Sequence, residues 1–544
     1  MPEPRSQRMA RVDTAWLRMD NDVNLMMIVG VWMLATPVTL QAVRARVAEK
    51  LLQYERFRQR IEHDAIGCRW VEDAAFEIEH HVAPMTLSPG PGETQRQALQ
   101  RLCGEMACTP LDEDRPPWQF HVVEDYEGGS ALVARIHHCV ADGIALISVM
   151  HSITDGGSDP PQRARAAADA GDDGDDGDWL SEFVMRPLAG VAAQALDLSG
   201  QGIARTLQAL SDPEASLAGA LELARSGARV LGDAAALALL SDDSPTRLKG
   251  IPEGRKLATW SEPLPLVEVK AIGKALGCSV NDVLLSCAAG AIGGYLRALG
   301  DDPTGQEIRA MVPVNLRPLE EAWKLGNRFG LAPLVLPIGI ENPIERVFAV
   351  RRRMAELKGS YQPLLAYGVL ALAGLLAKPV QDAILDLFAR KTTAVMTNVP
   401  GPSQPLSFCG APLRQNMFWV PTTGNLGLGL SILSYAGGVQ FGLMTDRALC
   451  PDPRQISERF ATEFEQLLLV TMMLPWDDAL RPAAAASSVA APATAATAAA
   501  GSGPRAAPRA GPRAARPAAS PRRGPAASGA RGRAPSARSR PSPP

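Results

Sequence analysis

The stretch "ALVARIHHCVADGIAL", Ala131 to Leu146, decides the fold. Its first half is a strand-like run ending at His137-His138, Asp142-Gly143 then offers a turn, and "IALISVMHSI" has the three- and four-residue apolar spacing of a helix leaving it. Upstream, "WQFHVVEDY" (Trp118 to Tyr126) is a second strand-like run, and Glu127-Gly128-Gly129 separates the two. Two such runs joined by a glycine-containing turn predict a β-hairpin. The histidine pair therefore falls at a strand tip, where a site can open to substrate.

Farther out, residues 1–155 alternate strand-like and helix-like patterns, which predicts an α/β domain. "GGSDPPQRARAAADAGDDGDDGD" (Gly156 to Asp178) breaks the periodicity with Gly, Pro, Ala and acids and reads as a solvated loop. Residues 180–240 are rich in Ala and Leu at helical spacing, so 156–247 is expected to be an acidic loop followed by a helical crossover. A second domain is expected over 248–480, beginning near Leu248. Residues 481–544 collapse to Ala, Pro, Arg, Ser and Gly, too little apolar area to offset chain entropy, and predict a disordered tail.

The 544 residues, 46% hydrophobic, can fill more than one core. The formal charge of -3 hides an asymmetry. From Arg481 onward there are eleven Arg and no acid, which leaves the body with 44 basic residues against 58 acidic ones, or -14. Those arginines are diluted by Ala and Pro and lack interleaved aromatics, so no specific nucleic-acid partner is expected. Eight cysteines show neither a CxxC pair nor metal-ligand spacing, which argues against a metal site and a disulfide framework and for a cytoplasmic location. The N-terminus lacks the apolar core of a signal peptide, and the run Leu25 to Leu34 is too short to span a bilayer. "LLAYGVLALAGLLA" (Leu364 to Ala377) is also too short, and reads either as a buried helix or as one facing a membrane.

An imidazole titrates near pH 6.5, so one of the two histidines can take and return a proton at neutral pH as a general base. Successive strand residues face opposite ways, so His137 and His138 do not share that role. Asp142 is spaced to fold back and fix the turn, or to orient the ring through an arginine. Gly143 is expected to permit a sharp backbone turn that a side chain would obstruct. Cys139 points away from His138 on an alternating strand, which disfavours a cysteine nucleophile. Two buried histidines beside an ordinary Asp-Gly turn is the plain structural alternative.

"HHCVADG" resembles the HHxxxDG signature of the CoA-dependent acyltransferase superfamily. Within it, "PLDEDRPPW" (Pro110 to Trp118), "VNDVLL" (Val280 to Leu285) and "TNVPGP" (Thr397 to Pro402) resemble the PLW, ND and SNVPGP elements of the bacterial wax ester synthase/diacylglycerol acyltransferases. "ERFRQR", "MVPVNLRP" and "LGNRFG" fit the same family in the same order, over roughly residues 10–475. Pro117 stands where that family has Leu, Thr397 where it has Ser, and the Arg-rich tail lies outside the pattern.

The resemblance implies an α/β fold of two chloramphenicol-acetyltransferase-like domains, each a mixed sheet with helices, with the active-site cleft between them. It implies direct acyl transfer from acyl-CoA to a fatty alcohol or diacylglycerol, with acyl-CoA as substrate, no cofactor and no acyl-enzyme. His138 would be the base, with His137, Asp142 and Gly143 completing the catalytic motif. Asn281, Asp282, Arg115, Trp118 and Asn398 would bind substrate. Arg317 reads either as the counter-charge that a buried Asp142 needs or as an ordinary surface arginine. Lipid acceptors would bring the enzyme to the inner membrane face or a lipid-droplet surface.

The residues themselves keep alternatives open. Asn281-Asp282 also reads as the start of a buried helix, Trp118 as core, and "TNVPGP" with Gly401 as a plain turn. "GNLGLG" (Gly424 to Gly429) has the wrong spacing for a dinucleotide loop and reads as backbone packing. A stand-alone condensation-type enzyme shares HHxxxDG, but the chain offers no carrier segment and no late DFGWG-like element. A lipid-binding protein that kept the cleft and lost the chemistry is the third reading.

Overall fold

The computed structural model describes residues 6–64, 67–157, 241–316, 325–358, 366–367, 378, 381, 390–422 and 424–474. In chain order the first half contains β1 (Ser6–Arg8), α1 (Arg11–Arg18), β2 (Met27–Leu34), α2 (Leu40–Lys50), β3 (Gln59–Asp64), β4 (Gly67–Glu72), α3 (Ile78–His81), β5 (Val82–Pro84), α4 (Gln95–Cys108), β6 (Trp118–Tyr126), β7 (Gly129–His137) and α5 (Gly143–Ser152). The second half contains β8 (Lys256–Trp260), β9 (Leu264–Pro265), α6 (Leu266–Leu276), α7 (Val280–Ala298), β10 (Ile308–Asn315), β11 (Phe329–Leu336), α8 (Pro343–Lys358), β12 (Ala394–Pro400), β13 (Ser407–Phe408), β14 (Ala411–Trp419), β15 (Leu428–Tyr435), β16 (Gly438–Asp446) and α9 (Pro453–Met473).

The predicted hairpin is present. β6 and β7 pair antiparallel, and the turn between them places Glu127 at φ 48° and Gly128 at φ 77°. Positive φ at both central positions suits the right-handed twist of the strands. Gly129 has a different reason: a Cβ there would lie 2.0 Å from the Leu34 carbonyl oxygen. β7 is buried at all nine positions because β2 and β6 flank it and both faces of its sheet are covered.

Two mixed sheets organise the described residues. The first runs β13-β14-β2-β7-β6-β5, with β5 and β6 parallel. The second runs β11-β10-β12-β15-β16-β8, with β9 also on β16 and parallel pairing of β12 with β10 and β15. A smaller sheet, β1-β4-β3, flanks them. β13 and β14 come from the second half of the chain yet extend the first sheet, β14 pairing with β2. Residues 411–419 thus tie the two halves together, a crossover that local periodicity does not announce. All the described residues belong to one compact unit, Met1–Ala484.

The even-numbered residues of β2 and β7 face a core built with α1, α2 and α5, which includes Ile28, Trp32, Leu132 and Ile136. The odd-numbered residues face a core shared with α4 and the second sheet, which includes Val29, Val31, Val133, Trp260 and Trp419. A third core, under α6 to α9, serves the second sheet. Leu248, where the second domain was expected to begin, is buried in that third core.

The helical crossover expected over 180–240, most of the acidic loop, and the tail from 481 lie outside the described residues. So does nearly all of 364–377. Among the described residues no single helix is long and apolar enough to cross a membrane.

Candidate active site

β7 ends at His137, and His138 begins the loop into α5. The backbone N–H of His138 donates to the Met26 carbonyl (2.7 Å), which fixes the loop to the start of β2. The His138 ring lies in the first core, stacked on Trp16 of α1 at 4.3 Å between centroids and 5.6 Å from Phe329 of β11. It is 4% exposed. Burial pushes its pKa down to about 4, against weaker upward pulls from its own main-chain carbonyl and from Asn327. At neutral pH the ring is therefore an uncharged imidazole. Its Nδ1 is buried without a hydrogen-bond partner among the described residues.

The strand tip is thus not an open mouth, as the sequence suggested, but a packed one. His137 faces the other way, with Nε2 3.3 Å from Asp20 Oδ1 and Nδ1 accepting from the Cys139 backbone N–H. His137 thus bridges Asp20 and the loop backbone, away from the face that His138 presents.

Asp142 is the N-cap of α5. Its Oδ1 accepts from the Ala145 N–H (3.0 Å) and its Oδ2 from the Arg328 N–H (3.2 Å). The carboxylate therefore fixes the turn, the first of its two expected roles. Arg317, the ion-pair partner expected from sequence, lies outside the described residues. Gly143 corrects another expectation. Its φ is not in the left-handed region, and a Cβ there meets nothing within 4 Å. The turn does not require glycine; the missing side chain leaves space.

That space belongs to an apolar pocket under α5. Its wall takes Ile28, Gly30 and Trp32 from β2, Leu132, Ala134 and Ile136 from β7, and Gly143, Leu146, Ile147 and Met150 from α5. Asn416, Met417 and Phe418 of β14 continue it, and Gly401 and Leu433 close it from the second sheet. A Cβ on Gly401 would stand 2.2 Å from the Ser434 carbonyl, so β15 can approach there only against glycine. The lining is almost wholly apolar, as ligand pockets usually are. His138 is not in its wall, but Ile136 and Gly143, on either side of it in sequence, are.

The side chains proposed from sequence to bind substrate do not line this cavity. Trp118 is fully buried, donates from Nε1 to the Phe57 carbonyl (2.9 Å) and packs on His81 and Phe120, so it is a core residue. Arg115 pairs with Asp112 at 3.0 Å on the surface. Asp282 closes a capping box on α7, accepting from the Ser279 N–H (2.9 Å). Helix capping explains that aspartate without a ligand. Asn281 and Asn398 are brought together, the Asn398 amide donating to Asn281 Oδ1.

Sequence reasoning assigned no role to the group that holds the histidine loop. Gly326, Asn327 and Arg328, inside "LGNRFG", lie along residues 138–142. Gly326 donates to the Val140 carbonyl (3.2 Å), the Asn327 amide to the His138 carbonyl (2.8 Å) and the Arg328 N–H to Asp142. Asn327 is itself held by Asp13 of α1, whose Oδ1 accepts from both its backbone and side-chain N–H at 2.9 Å. Arg56, inside "ERFRQR", lies over the Trp70 ring and 3.9 Å from Asp13. Burial raises the Asp13 pKa to about 6, with Asn327 and Arg56 pulling the other way. The motifs were visible as a resemblance, but nothing in the sequence pairs Asp13 with Asn327 or Asp142 with Arg328.

Comparison with known proteins agrees with this architecture. Residues 9–284 match the wax ester synthase/diacylglycerol acyltransferase catalytic domain and residues 325–468 the C-terminal domain of the same family. The probable diacylglycerol O-acyltransferase tgs1 of Mycobacterium tuberculosis is 25% identical over 440 residues, 79% of this chain and 88% of that protein. A second M. tuberculosis protein, described as a putative diacylglycerol O-acyltransferase, is 28% identical over 413 residues, 73% of this chain and 80% of that one. Among solved structures, the wax ester synthase/diacylglycerol acyltransferase of Marinobacter aquaeolei superposes with a TM-score of 0.55 at 21% identity, covering 87% of this chain and all of that one. The first condensation domain of the calcium-dependent antibiotic synthetase gives 0.50 at 16% identity, covering 85% of this chain and 96% of that one, and shares the two-lobed mixed α/β fold. With its catalytic-domain match spanning the histidine loop and its C-terminal match spanning the segment that clamps it, the chain belongs to the wax ester synthase/diacylglycerol acyltransferase family and is an acyltransferase.

Proposed function

We propose that the protein transfers a long-chain acyl group from acyl-CoA to the hydroxyl of a fatty alcohol or diacylglycerol, with His138 as general base and no acyl-enzyme. The observation that carries this reading is the apolar cavity ending at Ile136 and Gly143, on either side of a histidine that burial keeps neutral. A neutral imidazole nitrogen takes the hydroxyl proton as the alcohol oxygen attacks the thioester carbonyl. The tetrahedral intermediate collapses, the C–S bond breaks, and the CoA thiolate takes the proton back from the imidazolium. Access to the ring requires its packing against Trp16 and Phe329 to part. Acceptors of this kind dissolve in bilayers and droplets, so the enzyme works at such a surface.

Free thiol released from palmitoyl-CoA, followed with hexadecanol, with a diacylglycerol and with no acceptor, tests the reading. Release is expected only with an acceptor present, in step with ester formation. A stoichiometric burst without acceptor would mean an acyl-enzyme, and no release with either acceptor would leave a lipid-binding protein.

A further inference from the structure

β2 is buried at seven of its eight positions, and the exception is Gly30, in mid-strand. Glycine weakens a strand interior, and there it often marks close approach of a ligand or another backbone. Backbone crowding is not the reason at this position. A Cβ on Gly30 would sit 3.7 Å from the Met417 carbonyl oxygen and the Phe418 Cβ, which is ordinary contact. The strand register puts Gly30 directly beside Ala134 of β7, and both residues line the cavity. The wall residues two positions away on each strand are large: Ile28 and Trp32 on β2, Leu132 and Ile136 on β7. Two small residues, paired across adjacent strands, thus cut a notch between the bulky apolar residues that flank them on β2 and β7.

We infer that Gly30 and Ala134 set the length of the aliphatic chain the cavity accepts. The notch lies four residues from His138, about 13 Å along the strand, so a long chain entering from the histidine end crosses it and a short one stops before it. The assignment of that chain to a substrate rests on the proposed acyl transfer; the notch itself rests on the wall. Gly30→Ala is accommodated by the distances above and leaves the notch open. Gly30→Val suits a strand and fills it, and Ala134→Leu fills it from the other side.

Displacement of bound cis-parinaric acid by saturated alcohols and fatty acids of eight to eighteen carbons reads the cavity without catalysis. Gly30→Val and Ala134→Leu are each expected to weaken competition by the sixteen- and eighteen-carbon chains at least tenfold while changing the eight-carbon ones less than twofold, with Gly30→Ala close to the parent. Equal loss at every length in folded variants, an unchanged length profile, or no binding of the probe to the parent would overturn the inference. Should one variant fail to fold, the other decides. Thiol release is then measured twice on the same proteins, varying the acyl-CoA at fixed hexadecanol and the alcohol at fixed palmitoyl-CoA. The series whose preference shortens identifies which chain occupies the notch. A parent that binds the probe but releases no thiol would reject the acyl transfer and leave the notch to the displacement result.

Discussion

His138→Ala is expected to lower kcat for thiol release by about 10²–10⁴-fold, the usual contribution of a positioned general base, in a protein that still folds. The ring's share of stability is its packing on Trp16 and Phe329, and loss of such a contact costs about 0.5–1.5 kcal/mol beyond the lost buried area. His137→Ala should behave in the opposite way. His137 faces the other side of the strand and its two ring nitrogens serve Asp20 and the Cys139 backbone N–H, so removal costs stability first and rate second. Equal kinetic loss in two well-folded variants, measured side by side with thermal melting, would remove the division of labour between the two histidines.

Asp142→Ala is expected to damage both stability and rate. Loss of the α5 cap costs about 0.5–2 kcal/mol, and the part-buried bond from the Arg328 N–H is lost with it. The kinetic effect follows from geometry, because Asp142 connects the histidine loop to residues 326–328, and a catalytic group displaced by about 1 Å can lose 10²-fold in rate. Asp142→Asn separates the two consequences. Asparagine caps a helix about as well as aspartate but has a single acceptor oxygen, so it can keep the Ala145 bond while losing the Arg328 one, and its melting temperature should fall between those of the parent and Asp142→Ala. An Asp142→Asn variant that melts normally but is as inactive as His138→Ala would show that the carboxylate's charge takes part in the chemistry.

The local parts of this architecture were legible in the sequence because their causes are local. The β6–β7 hairpin follows from two strand-like runs around Glu127-Gly128-Gly129, and the start of α5 follows from an aspartate ahead of a helical spacing. Contacts between distant segments left no such trace. Arg328 reaches Asp142 across 186 residues and Asn327 reaches Asp13 across 314, and nothing in the spacing of either segment points to the other. β14 likewise looks like one more strand of the second lobe, since pairing partners are not written in strand periodicity. Gly143 was legible as important but for the wrong reason: a glycine needed by the backbone and one needed by an adjoining cavity look alike until a Cβ is built. Trp118 and Asp282 sit in motifs shared with a family, yet a buried indole with its N–H satisfied and a carboxylate closing a capping box are explained by folding alone. Residue type singled out His138; only packing shows that Trp16 and Phe329 enclose it.

That enclosure is where the account is most exposed to test, through the pH dependence of kcat/KM for the alcohol, a substrate that does not titrate. Burial lowers the His138 pKa, so the base is lost only as pH falls through the depressed value of about 4. The account expects no step at the ordinary imidazole value of about 6.5 that His138→Ala removes, whereas a limb near 6 that Asp13→Asn removes belongs to the Asp13 carboxyl that holds Asn327. An acid limb near 6.5 in the parent, absent from the residual activity of His138→Ala, would show that the working histidine sits in water rather than in the packed core, and would contradict the account.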